Sequence, residues 1–67
     1  MKENYFKRFA KANIGLLISS SMFGNFRVYQ LKILEDKYSK AVITGSSLDE
    51  VFLRAIEFLK IKYKVII

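Results

Sequence analysis

The chain has 67 residues, with Lys+Arg 12 against Asp+Glu 6 for a net charge of +6, and it contains neither cysteine nor histidine. A disulfide framework and the usual Cys/His zinc site are therefore excluded, and so are the commonest general acid–base residue and the thiol nucleophile. Stability must come from an apolar core, which a hydrophobic fraction of 52% with four Tyr and six Phe can supply.

Proline is absent, and no repeat or low-complexity linker interrupts the chain, so residues 1–67 read as a single α+β domain. From Asn4 onward Phe6, Phe9, Ala10, Ile14 and Leu17 recur at helical intervals, with Lys7, Arg8 and Lys11 opposite them. This predicts a basic amphipathic N-terminal helix that ends near Gly15. The apolar run Ile14 to Ser21 fits either a continuation of that helix or a strand, and a third strand over Leu16 to Met22 is the leading addition to the sheet. The order of basic, apolar and small residues over 7–21 approximates a secretory signal. However, Asn13 and Gly15 interrupt the apolar part, and no run approaches the ~18 apolar residues of a membrane span. The expectation is a soluble, cytoplasmic protein.

Phe23-Gly24-Asn25 signals a turn, and Phe26 to Leu34 alternates, with Tyr29, Leu31 and Ile33 on one face and Val28, Gln30 and Lys32 on the other. After Glu35-Asp36-Lys37, Tyr38 to Thr44 alternates again, which predicts an antiparallel hairpin of these two strands. Ser47-Leu48-Asp49-Glu50 has the spacing of a capping box, in which Ser47 accepts from the Glu50 N–H and Glu50 reaches back to the cap N–H. Leu48, Val51, Phe52, Ala55, Ile56 and Leu59 then form one stripe, which predicts a helix over about 47–61. Lys62 would fall on that stripe, whereas Ile61, Tyr63, Val65 and Ile67 alternate with Lys62 and Lys64. That switch predicts a short terminal strand, with continuation of the helix to about Lys62 and a loose tail as the alternative.

No residues show the spacing of a catalytic, cofactor or metal site. The serines have no activating base, and Gly15, Gly24 and Gly45 lack nucleotide-loop spacing. A phosphate could sit on the Gly45-Ser46-Ser47 turn, but Asp49 and Glu50 would repel it. The expected function is therefore binding, without catalysis, cofactor or metal. The excess of cations favours DNA or RNA, with Lys7, Arg8, Lys11, Arg27, Lys32 and Lys40 as phosphate contacts and an exposed Tyr38 as a stacking platform. Lys2, Lys37, Lys60, Lys62 and Lys64 add to the basic groups, while Phe6, Phe9, Phe52 and Phe58 are expected to fill the core.

The alternative is a compact inhibitor or adaptor, of the kind encoded by phages and mobile elements, that docks on a larger host protein. Leu53 and Ile61 project from the polar side of the last helix, and Phe58 lies at the margin of its stripe. Together they mark a protein interface, for a host factor or for a homodimer. A membrane surface ranks behind both readings.

Overall fold

The computed structural model describes residues 4–67. Helix α1 (Tyr5–Lys11) is followed by β1 (Leu16–Phe23), β2 (Phe26–Ile33), a short 3-10 turn (Asp36–Tyr38), β3 (Val42–Gly45) and α2 (Leu48–Tyr63). The strands form an antiparallel meander in the order β1-β2-β3. Both helices contribute to the one core that packs on Leu31 and Ile33 of β2, so they share one sheet face and leave the other open. This is the α+β architecture the sequence predicts. The ambiguous run after Asn13 resolves as a strand.

α1 starts where the Asn4 side chain accepts a hydrogen bond from the Lys7 N–H at 3.0 Å. It stops earlier than expected, because Asn13 turns into the left-handed region (φ 62°) and the Ile14 N–H folds back to the Phe9 carbonyl at 3.0 Å. The helix then docks through aromatic rings. Tyr5 stacks on Phe52 with centroids 4.9 Å apart, Phe6 meets the same ring edge-on at 5.1 Å, and Phe9 tilts against it at 5.8 Å. Phe9 and Phe52 are fully buried as expected, whereas Phe6 keeps half its surface in solvent and contributes only its inner edge.

β1 and β2 are joined by a two-residue turn, Gly24-Asn25, closed by the Phe23↔Phe26 pair. Gly24 has φ +63° and Asn25 a negative φ. Glycine first in a two-residue loop is the pattern that matches the right-handed twist of the flanking strands. β3 pairs with β2 only between Tyr29 and Lys32. The hairpin beyond that point, Ser21 to Val28, is therefore a two-stranded arm with no third strand beside it.

β2 and β3 pair antiparallel as predicted, but the connection is longer than the Glu35-Asp36-Lys37 break the sequence suggests. Tyr38 alternates in sequence like a strand residue, yet it sits in the 3-10 turn, and Ser39 and Lys40 follow at φ 61° and 47°. These left-handed residues swing the chain back so that the Ala41 carbonyl accepts from the Ile33 N–H at 2.8 Å, and β3 begins only at Val42.

At the other end of β3, Gly45 lies so close to α2 that an added Cβ would stand 3.0 Å from a methyl of buried Val51 and 3.1 Å from the Glu50 side chain. α2 ends at Tyr63, where Lys64 takes a left-handed cap (φ 61°) and its N–H returns to the Lys60 carbonyl at 3.2 Å. The predicted terminal strand is absent. Val65 instead donates to the Leu59 carbonyl, and an Ile67 main-chain oxygen accepts from Arg8 at 2.7 Å, which brings the tail back across α1. Lys62 does not interrupt the helix as its place on the stripe suggested, because it is exposed and its ammonium lies over aromatic rings.

Two stability outcomes follow. Phe52→Ala should cost about 3–5 kcal/mol. At roughly 0.05–0.15 kcal/mol per residue that is a large share of the stability of so short a chain, so thermal melting should lose its cooperative transition or shift down strongly. Gly45→Ala should cost about 1–3 kcal/mol by overpacking against Val51, seen as a Tm several degrees lower with unchanged far-UV circular dichroism at low temperature.

Candidate functional site

The cations the sequence grouped together are separated by the fold. Arg27 and Lys32 lie an odd number of residues apart on β2, so they occupy opposite sheet faces. Arg27 is on the helix side of the arm, where its guanidinium donates to the Ser20 hydroxyl at 3.2 Å. Lys32 is on the open face, paired between Leu17 of β1 and Val42 of β3. Lys7 and Lys11 are exposed on α1, away from that face. Arg8 is engaged with the tail oxygen and lies 5.9 Å over the Tyr5 ring, so it is a structural clamp as well as a charge. Lys2 lies outside the described residues.

Tyr38 is not an exposed platform. It is 7% exposed, and its ring meets Tyr63 edge-on at 5.1 Å. Tyr63 in turn meets Phe58 at 5.6 Å. This chain of three rings gathers cations that sequence spacing did not bring together. The Lys37 ammonium lies 5.2 Å from the Tyr38 centroid, and the Lys62 ammonium lies 5.6 Å from Phe58 and 5.7 Å from Tyr63. Between them the Ser39 and Tyr63 hydroxyls share a hydrogen bond of 3.2 Å. Lys40 stands alongside, in an exposed ion pair of 3.3 Å with Asp36. Exposed pairs of this kind are weak and can be exchanged for another anion. Lys37 and Lys62 count in the sequence only as additional basic groups, and Ser39 carries no local signal at all. Only the αL turn at Ser39 and Lys40 and the length of α2 bring them to one end of the molecule.

Two further surfaces are defined by what they lack. No charged residue occurs from Ala12 to Phe26, and the arm they build exposes Met22, Phe23 and Phe26, the last 74% exposed. Phe23 and Phe26 form a cross-strand pair on the open sheet face, while Met22 points to the helix side. On α2, Leu53 and Ile61 are exposed as their positions predict, and Phe58 is half-buried within the ring chain.

The start of α2 is not available to a phosphate. Ser47 accepts from the Glu50 N–H at 3.1 Å, as predicted, but Glu50 reaches one residue further back than the capping-box spacing implies. Its carboxylate accepts from the Ser46 N–H at 2.8 Å and the Ser46 hydroxyl at 2.7 Å. Its other oxygen pairs with Arg54 at 2.8 Å, and Arg54 also donates to the Thr44 carbonyl. The chain's own carboxylate thus takes the Ser46 donors at this turn. A shallow depression lined by Ala10, Asn13, Ile14, Gly15 and Glu35 is likewise internal in its chemistry, since the Glu35 carboxylate accepts the Gly15 N–H at 2.9 Å. Among the described residues no group of His, Cys, Asp and Glu could hold a metal ion, and no helix is long and apolar enough to cross a membrane.

No protein-family model, curated protein or solved structure matches the chain.

The Ser46 hydrogen bonds, and after them the nearby Arg54 charge, hold the Glu50 carboxyl below its ordinary value of 4.5. A carboxylate favoured in the folded chain stabilises it above the ordinary value, and the stabilisation fades as pH falls through the lowered value. Glu50→Gln should therefore lower Tm at neutral pH and flatten the part of the Tm–pH profile that lies below pH 4.5, as measured by thermal melts in a pH series.

Proposed function

We propose that the protein is a small non-enzymatic nucleic-acid-binding accessory protein that contacts phosphates through the ring-and-lysine cluster at the carboxyl end of α2. The observation that carries this reading is the convergence of Lys37 and Lys62 on the Tyr38–Tyr63–Phe58 rings, with Lys40 beside them and hydroxyls of Ser39 and Tyr63 between. Held over ring faces, the two ammonium groups keep defined positions while remaining exposed, and a net charge of +6 adds long-range attraction for a polyanion. Tyr38 serves here as a support for Lys37. Arg27 and Lys32 contribute only to the overall field.

A second reading, a protein-binding adaptor, is favoured by a different observation. The arm carries Phe23 and Phe26 on an uncharged tip, which suits insertion into an apolar groove of a larger protein better than contact with phosphates.

Fluorescence anisotropy of labelled single-stranded DNA, duplex DNA and RNA over a salt series separates the two. Binding should weaken steeply with salt, and the double variant Lys37→Glu/Lys62→Glu should weaken it about tenfold or more while lowering the salt slope by about two. Lys7→Glu/Lys11→Glu should have a clearly smaller effect. Equal losses from both pairs would reduce the contact to a diffuse field, and no binding at low salt would overturn the nucleic-acid reading.

A further inference from the structure

The meander leaves β1 as an edge strand, and the register shows which of its backbone groups are free. The closing pair of a two-residue hairpin, Phe23↔Phe26, exchanges hydrogen bonds, and hydrogen-bonded and open pairs then alternate along an antiparallel ladder. The Leu34 N–H donating to the Gly15 carbonyl at 2.9 Å fits the same phase at the far end. The odd-numbered residues of β1 therefore bond inward to β2, and Leu16, Ile18, Ser20 and Met22 direct their N–H and C=O groups away from the sheet. No described residue reaches these outward groups.

Exposed edges are ordinarily blunted by a charge, a proline, a bulge or a covering element. β1 has none of the first three. Its residues pair with β2 without a break from Leu16 to Phe23, the chain contains no proline, and β1 lies wholly within the uncharged stretch from Ala12 to Phe26. In a molecule of net charge +6 this is the one long segment on which two copies can approach without opposing cations. It carries no cation to draw a phosphate.

We propose that two copies of the chain pair β1 against β1 about a two-fold axis, forming a continuous six-stranded antiparallel sheet. The edge is self-complementary in one register above others. With Ser19 on the axis, Ile18 lies opposite Ser20 of the partner subunit and Leu16 opposite Met22 of the partner subunit, each pair exchanging two backbone bonds. Exposed Met22 is then laid beside the half-buried Leu16 on the helix side, which gives its apolar surface a cover it lacks in one copy. On the open side Leu17 meets Ser21, and the two open faces become one surface with a Phe23–Phe26 pair on each subunit's arm. This pairing is independent of the nucleic-acid contact and uses neither Leu53 nor Ile61.

Sedimentation equilibrium over a concentration series tests it, with amide hydrogen exchange as a site-resolved check. The mass should rise to that of two chains below millimolar concentration, and the Leu16, Ile18, Ser20 and Met22 amides should gain protection with concentration. Ser20→Pro removes an outward N–H without touching the β1–β2 ladder, and should raise the dimer Kd about tenfold or more while circular dichroism stays native. Ser19→Lys and Ser19→Glu should each weaken self-association several-fold by placing like charges across the axis, and mixing the two should restore a heterodimer. A monomer at millimolar concentration would overturn the proposal. So would a dimer whose Kd is unmoved by Ser20→Pro and by both Ser19 variants, since it would then form through another surface.

Discussion

The ring of Phe52 is the point on which the two halves of this fold meet. It stands on the second turn of α2, fully buried, and three aromatic residues of α1 converge on it at centroid distances of 4.9 to 5.8 Å. A chain of this length has a small interior and no Cys or His for a disulfide or the usual zinc staple, so burial of large rings supplies stabilisation that a longer protein would spread over many aliphatic side chains. α1 has only seven residues and would not hold as a helix alone. Its attachment is the stack on Phe52, the burial of Phe9, and the clamp from Arg8 to the tail.

What was legible in the sequence is what depends on simple periodicity with one buried face. The stripe of α2 and the alternation of β2 both follow from burying Val51, Phe52, Ala55 and Leu59 against Leu31 and Ile33, and the Ser47 cap follows from spacing. The strand β1 was only half legible, because Ser19 to Ser21 lead into the protruding arm and are all exposed, so no alternation is imposed there. At the end of α2 the alternation of Ile61, Tyr63, Val65 and Ile67 favours a strand, but the alternative of a continued helix and a loose tail is the one the chain adopts. A lysine on an apolar stripe looks like a stop signal, but a four-carbon stem can carry its charge out over Phe58 and Tyr63 without breaking the helix.

The candidate site was less legible than the fold. Tyr38 reads as exposed because strand alternation puts it on the side of Lys40, yet the 3-10 turn rotates it inward, and the left-handed residues that follow are Ser and Lys rather than glycine. Arg27 and Lys32 looked like neighbours, but strand parity sends them to opposite faces. Lys37 and Lys62 are far apart in sequence and reach one chain of rings, Lys37 over Tyr38 and Lys62 over Tyr63 and Phe58, only because the β2–β3 connection and the last turn of α2 pack together.

Each strand pairs with its immediate neighbour in sequence, and α2 packs on the strands that precede it, so most of the topology closes over short loops. The contacts of α1 with Phe52 and with Ile67 are the exceptions, since each spans most of the chain. The order of folding follows from that difference: hairpins and the cap of α2 can form early, while α1 must wait for the largest loop to close around a finished platform. The reverse path is the easiest local opening of the native state, with α1 swinging away while sheet and α2 persist. In that state the Phe52 ring is bared to water. The encounter of such a species with another copy is a different event from edge pairing of native molecules, and it would expose the aromatic core to aggregation.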